Sequence, residues 1–180
     1  MTHIRQLRHR LRFDSLEGES LMSKVHTIDK KHLEQLVTSC QAELLVSEPN
    51  LFHYPDTLVG KDVDWDNYTN RIKLLNADLL RRLKHNANIY AIHVKEKNSS
   101  WQVVYIGQRK SKNIRERMIQ HLVKKNKSTG SKLLEVKDII LNGGQIGVSF
   151  TKVEPESLRL YVEETIIQQN SQVLIWNKHK

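Results

Sequence analysis

The chain has 180 residues, of which 38% are hydrophobic and 27% are charged, and its net charge is +9. This length suits one compact domain with an extension or two small domains, and no apolar run approaches the roughly 18 residues of a membrane span. Its one cysteine, Cys40, excludes an internal disulfide and a zinc finger. We therefore expect a cytoplasmic protein with no membrane partner and with a buried, unreactive thiol.

Positive charge is concentrated in the second half of the chain. Residues 1–85 have 13 Lys and Arg against 12 Asp and Glu, whereas residues 86–180 have 16 against 8. The segment from Arg109 to Lys137 has ten basic residues and two acidic ones. Such a cluster favours a nucleic-acid partner, because each neutralised phosphate releases counterions. A solvated helix face is the alternative interpretation. The four arginines at positions 5–12 indicate a frayed or nucleic-acid-facing basic arm at the N-terminus, and a transit peptide is the alternative there.

The first half of the sequence is predominantly helical in pattern. Asp29 is suited to cap a helix that reaches about Leu45, and an irregular segment follows over residues 47–64. A stripe of apolar residues at steps of three and four predicts a second helix from Trp65 to Lys84. We place a domain boundary after it. Residues 1–85 would form a helical N-terminal extension, with a possible role in DNA binding or dimerisation, and residues 86–180 a second domain.

The second half changes from a helical period to strand character and back. The predicted elements are strands at Asn88–Lys95 and Trp101–Gly107, helices at about 111–125 and from Ser131, a strand at Gln145–Val153 and a helix from Pro155 to about Gln169. This order, β-β-α-α-β-α, predicts an α+β fold. We expect a small three-stranded antiparallel sheet flanked by helices.

Five side chains in this half could act on a phosphate. Tyr90 and Tyr105 are on neighbouring strands, where both could lie on one face, and a phenol becomes a base only beside cations. Arg117 and His121 share a helix face at i,i+4, so one could hold a phosphate while the other takes or relays a proton. Glu163 lies between aliphatic residues, where a carboxylate is costly unless it meets a cation or a metal.

Each of these signals also has a plain structural interpretation. Tyrosines are common in strands, and an Arg/His pair on a basic helix is most often surface. Glu163 could form an ordinary ion pair, and Glu164 is nearly as well placed as a metal ligand.

Taken in order, the motifs resemble those of the GIY-YIG nuclease family. Its first motif is similar to Asn88-Ile89-Tyr90-Ala91-Ile92, with Asn in place of the first Gly, a position where Asn tolerates unusual backbone angles. Its second motif matches Tyr105-Ile106-Gly107. Its helix motif is similar to Asn113-Ile114-Arg115-Glu116-Arg117 followed by His121. Glu163 is similar to the metal-binding Glu of its last helix, and Trp176-Asn177 to its closing element. The resemblance covers about residues 88–177.

The resemblance implies a metal-dependent endonuclease that hydrolyses DNA phosphodiester bonds. Tyr90 would be the general base, assisted by His121 and tuned by Tyr105. Arg117 would bind the scissile phosphate, Glu163 would hold Mg²⁺ or Mn²⁺, and Asn177 would be a supporting hydrogen-bond partner. The His and Trp-Asn elements look most like the restriction branch, in which a homodimer suits palindromic duplex DNA. The expected nucleic-acid-binding residues are Arg109, Lys110, Lys112, Arg115, Lys124 and Lys125. A non-catalytic nucleic-acid-binding module and a structure-specific or RNA-directed nuclease remain alternatives.

Overall fold

The structure, a computed structural model, describes residues 29–60, 64–125 and 130–177. The basic arm predicted at positions 5–12 lies outside these ranges. Within them the main elements are α1 (Lys30–Leu44), β1 (Asn50–Phe52), α2 (Thr69–Leu75), α3 (Ala77–Asn86), β2 (Ile89–Lys95), β3 (Gln102–Gln108), α4 (Ile114–Leu122), α5 (Leu133–Leu141), β4 (Gln145–Thr151) and α6 (Arg159–Gln169). The α+β class and the β-β-α-α-β-α order of the second half are confirmed.

The described part of the chain has a four-stranded antiparallel sheet, in the order β1-β4-β2-β3. The prediction of three strands was therefore wrong. The additional strand, β1, comes from the segment predicted as irregular, and it pairs Asn50 with Val148 and Phe52 with Ile146 of β4. Three residues are too few to show an alternating pattern, and the strand exists because β4 offers a free edge and Phe52 enters the core.

Helices cover both faces of the sheet. Tyr90 and Ile92 of β2 point into a cluster that includes buried side chains of α3, α4 and α5. Ile89 and Ala91 point the other way, into a cluster built with α1 and α6. This division follows from the two-residue period of a strand. The first cluster also includes Ile72 and other side chains of the N-terminal extension, so the extension packs on the second half. The domain boundary at residue 85 stays a prediction.

The predicted helix from Trp65 to Lys84 is interrupted at Asn76. A short 3-10 turn at Trp65–Tyr68 leads into α2, and α3 starts after Asn76. The Asn76 side chain accepts a hydrogen bond from the His53 backbone N–H at 2.8 Å and donates one to the His53 carbonyl at 2.8 Å. The amide thus pairs with a distant segment at the residue between the end of α2 and the start of α3.

Helix α4 ends at Leu122, three residues earlier than predicted. The Tyr54 hydroxyl donates a hydrogen bond to the Leu122 carbonyl at 2.9 Å, and the Trp65 indole N–H donates one to the Val123 carbonyl at 2.7 Å. Side chains of the extension therefore satisfy carbonyls that a helix end leaves without partners. They also hold the last turn of α4, in which His121 lies.

Cys40 and Asp29 of the first helix region both lie as the sequence predicted. Cys40 is buried in α1, as expected, and burial raises the pKa of its thiol. Asp29 caps α1 as expected, because its carboxylate accepts the Lys31 backbone N–H at 3.0 Å. In the three described ranges, every helix is too short or too polar to cross a bilayer.

Candidate active site

The two strand tyrosines lie on one face of the sheet, as predicted. Tyr90 is opposite Gly107 in the register of β2 and β3, and Ile92 is opposite Tyr105. Residues two apart in a strand share a face, so Tyr90 and Tyr105 are diagonal neighbours. Their ring centroids are 6.1 Å apart.

Gly107 makes the close approach of these two rings possible. A Cβ atom at this position would lie 2.6 Å from the Tyr90 hydroxyl oxygen and 2.7 Å from Cε1 of Tyr105. Such separations are far inside van der Waals contact, so only glycine leaves the Tyr90 hydroxyl in its place. The glycine of the Tyr-Ile-Gly motif therefore has a steric reason in this chain.

His121 joins the tyrosine pair from α4. Its Nε2 is 2.8 Å from the Tyr90 hydroxyl oxygen, and its Nδ1 accepts the Lys132 backbone N–H at 3.1 Å. A backbone N–H can only donate, so Nδ1 has no proton. The neutral ring is then protonated at Nε2, which donates its hydrogen bond to Tyr90.

The environment keeps this imidazole neutral. Burial first, and then the positive charges of Arg117 and Lys132, lower the pKa of His121 to about 3. This changes the expected role of His121, because its ring does not titrate near neutral pH. At that pH it is a hydrogen-bond donor to the Tyr90 oxygen rather than a group that takes a proton.

The Tyr90 phenol is also held neutral in the structure. Its side chain is 0% exposed, and burial raises its pKa well above the usual value. Tyr105 acts in the same direction, whereas the Arg117 guanidinium, which interacts with the hydroxyl, lowers the pKa. Arg117 is half-buried on α4, where its Nη1 also donates to Gln120 Oε1 at 3.3 Å. These contacts bring Tyr90, Tyr105, Arg117 and His121 together in one cluster.

Lys132 is a further member of the cluster to which sequence reasoning assigned no role. Its Nζ lies 5.7 Å from the centroid of the Tyr105 ring, and its charge is one of those that act on His121. It reaches this place because the Ser131 hydroxyl donates to the Gln120 carbonyl at 2.5 Å, which brings the chain back against α4. In the sequence, the feature that could have indicated Lys132 is its position in the basic segment, directly before the apolar residues of α5.

Glu163 is buried on α6 and Glu164 is exposed, so Glu163 faces inward as the helical pattern predicted. The Glu163 side chain is 4% exposed. Of its expected aliphatic neighbours, Leu160 is itself 48% exposed. Helix α6 lies on the face of the sheet opposite α4 and contacts the edge strand β3. Glu163 therefore belongs to the layer of helices on the other face of the sheet from the tyrosine cluster.

Asn177 supports β3 between its two motif residues. Its Oδ1 accepts the Ile106 N–H at 2.9 Å, and its Nδ2 donates to the Ile106 carbonyl at 2.8 Å. Since β3 is an edge strand, the amide occupies the place of a further strand. This geometry fits a supporting role and not contact with a reacting atom.

The structure gives a different reason for Asn at position 88 from the one expected from the sequence. Asn88 is not among the described residues with positive φ, so an unusual backbone angle does not account for Asn at this position. Instead, its buried side chain donates to the Val153 carbonyl at 2.7 Å and accepts the Val153 N–H at 2.8 Å. The amide fixes the start of β2 to the segment after β4.

The six predicted nucleic-acid-binding residues lie in three places. Arg109, Lys110 and Lys112 line one groove between β3 and α4. Lys124 and Lys125 are exposed just beyond the end of α4. Arg115 is half-buried, and its Nη1 is 2.7 Å from Glu116 Oε1, so part of its charge is neutralised.

No family model matches the chain, and comparisons with curated proteins and with solved structures found no match either. The resemblance to GIY-YIG nucleases thus depends on this chain's own residues.

Within residues 29–60, 64–125 and 130–177, no three His, Cys, Asp or Glu residues are grouped as metal ligands. Mg²⁺ accepts such a setting, because it commonly keeps waters and takes phosphate oxygens beside one carboxylate.

Proposed function

We propose that the chain is a metal-dependent endonuclease that hydrolyses phosphodiester bonds in DNA, of the restriction type. The observation that supports this most is the 2.8 Å hydrogen bond between Tyr90 and His121, with Tyr105 and Arg117 in the same cluster. These residues come from three elements, β2, β3 and α4. They are the ones that the resemblance assigns to the base, its neighbour and the phosphate-binding guanidinium.

In the proposed reaction, Tyr90 takes the proton of the attacking water. It must act as a phenolate, which burial disfavours in the protein alone. Two donors offset this: the His121 Nε2–H and the Arg117 guanidinium. Arg117 would also bind the scissile phosphate and stabilise the charge that develops on its oxygens. Because Tyr90 is fully covered, the attacking water reaches it only when covering side chains move.

Glu163 is the residue proposed to hold the divalent ion, Mg²⁺ or Mn²⁺. When bound, such an ion supplies Lewis-acid stabilisation of the phosphate and the leaving oxygen. The fit is supported by an inward-facing, buried carboxylate on the helix that contacts β3.

A pair of adjacent glutamates provides a matched test of this assignment. Cleavage of supercoiled plasmid DNA should require Mg²⁺ and stop in EDTA. Glu163→Gln should lose cleavage and keep DNA binding, whereas Glu164→Gln, one residue away and facing solvent, should cut as the wild type does. Equal cutting by Glu163→Gln and wild type would remove Glu163 as the metal ligand.

A non-catalytic nucleic-acid-binding module is the second candidate. The observation that favours it is the complete burial of the Tyr90 hydroxyl in an internal hydrogen bond. Binding of duplex DNA with no nicking in Mg²⁺ or Mn²⁺ would select this function. Hairpin, single-stranded and RNA substrates in the same assay would reveal a structure-specific or RNA-directed nuclease. A homodimer on duplex DNA is part of the restriction-type proposal, and light scattering of the complex measures it.

A further inference from the structure

A groove beside the proposed active site is lined by four basic side chains. Arg109, Lys110 and Lys112 follow β3, and Arg159 comes from the first turn of α6. Gln108 and Asn113 complete the lining. Arg159 was not among the residues that the sequence suggested for nucleic-acid binding.

Within the ranges that the structure describes, these four cations form no ion pair with a carboxylate. The pKa of Glu156 is lowered first by the Ser111 backbone hydrogen bond and more weakly by the charges of Arg159 and Lys110. Glu156 Oε1 accepts the Ser111 N–H at 2.6 Å. It is not part of the groove lining. The groove therefore has a concentrated positive charge that suits an anion.

Arg159 is held in a fixed orientation. Its Nε donates to Gln108 Oε1 at 2.9 Å, and its Nη1 donates to the Glu156 carbonyl at 2.7 Å. A guanidinium has more N–H donors than these two contacts use, so donors remain for a ligand. A guanidinium that is already ordered loses less side-chain entropy when it binds a phosphate.

The position of Arg159 connects the groove to the proposed reaction. Arg159 and Glu163 are four residues apart on α6, so their Cβ atoms lie on one face, about 6 Å apart. Gln108, which holds Arg159, directly follows Gly107 in β3, and its side chain points to the α6 face of the sheet. A phosphate on Arg159 would thus lie one helical turn from the proposed metal ligand.

We propose that this groove binds a backbone phosphate that flanks the scissile one on the same DNA strand, with Arg159 as its central donor. The inference rests on the proposed nuclease function for the meaning of the flanking position. The binding itself can be measured without cleavage. Arg109, Lys110 and Lys112 supply the surrounding positive charge.

The test measures binding of a fluorescein-labelled mixed-sequence DNA duplex by anisotropy, in EDTA and over a series of KCl concentrations. Loss of one phosphate contact should reduce the slope of log affinity against log salt by about 0.9. We expect this for Arg159→Gln, with affinity about tenfold weaker. Lys112→Gln, whose side chain has no internal hydrogen bond among the described residues, should reduce the slope by less than Arg159→Gln, because Lys112 supplies surrounding charge and not the central contact. Arg159→Lys should keep the slope with weaker affinity.

Lys97→Gln is the matched control, because this exposed cation lies in the turn at the other end of the β2–β3 hairpin. A slope for Arg159→Gln and Lys112→Gln equal to those of Lys97→Gln and wild type would overturn the groove. Failure of the nuclease proposal would be distinct: the wild type would bind DNA with the full slope and cut nothing in Mg²⁺. With an active wild type, Arg159→Gln should raise KM and change kcat little.

Discussion

Replacing Gly107 with alanine should disrupt the tyrosine cluster more than the addition of one methyl group suggests. The new Cβ would lie 2.6 Å from the Tyr90 hydroxyl oxygen, 2.7 Å from Tyr105 Cε1 and 2.8 Å from Tyr90 Cζ. The Tyr90 ring cannot move aside freely, because it is fully buried and its hydroxyl is hydrogen-bonded to His121. Overpacking of a core typically costs about 1–3 kcal/mol, and loss of the hydrogen bond adds about 1 kcal/mol.

We therefore expect Gly107→Ala to lower the free energy of unfolding by roughly 2–4 kcal/mol, measured by urea denaturation. Gly130→Ala is the control, since a Cβ there meets no atom of the described residues within 4 Å. Combining Gly107→Ala with Tyr90→Phe should recover part of the loss, because one of the close atoms, the hydroxyl oxygen, is removed. A Gly107→Ala protein as stable as Gly130→Ala would refute the packing argument.

Two further predictions concern protons. Burial lowers the pKa of His93 to about 4, and its Nε2 lies 2.9 Å from the Ser149 hydroxyl, which donates to the Leu44 carbonyl at 2.6 Å. The unfolded chain binds this proton more readily, so stability is complete above about pH 6.5 and falls as the pH drops toward 4. At pH 5, protonation of His93 should lower the free energy of unfolding by about 2 kcal/mol, measured by urea denaturation. His93→Gln should make the free energy of unfolding depend less on pH in this range. An unchanged curve would show that His93 is not the cause. For catalysis, the raised pKa of Tyr90 predicts that the single-turnover rate rises about tenfold per pH unit above neutral, without an inflection near 6.5 from His121. A bell-shaped profile centred near 6.5 would contradict this reading of His121.

Local patterns in the sequence predicted the elements that depend on neighbouring residues. Asp29 caps α1, and Ile114, Met118 and Leu122 form the buried row of α4, because capping and helical period are local properties. The strand β1 and the interruption at Asn76 depend on pairing with distant segments. No local pattern specifies such partners.

Three asparagines show why the rest of the fold could not be predicted from the sequence. Asn76, Asn88 and Asn177 each pair with both backbone groups of one residue in another segment, namely His53, Val153 and Ile106. An asparagine in a sequence indicates a turn or a cap as readily as such a pairing. Only the fold supplies the distant backbone that satisfies the amide.

The same distinction applies to the candidate site. Residue spacing in the sequence predicted that Tyr90 and Tyr105 share a face of the sheet. It also predicted that Arg117 and His121 share a face of a helix. The proton on His121 was not predictable, because the donor that determines it, the Lys132 backbone N–H, arrives from the start of α5. The expected proton exchange at His121 followed from its ordinary pKa, which burial and two neighbouring cations change.

The central claim is that Tyr90 is the base of a metal-dependent DNA nuclease. Its most direct test is single-turnover cleavage of supercoiled plasmid in Mg²⁺ by wild type, Tyr90→Phe and Tyr161→Phe, the last an exposed tyrosine on α6. We predict cleavage by wild type and by Tyr161→Phe, none in EDTA, and a rate for Tyr90→Phe at least about a hundredfold lower. Cleavage by Tyr90→Phe at the wild-type rate, or no cleavage by the wild type, would contradict the account.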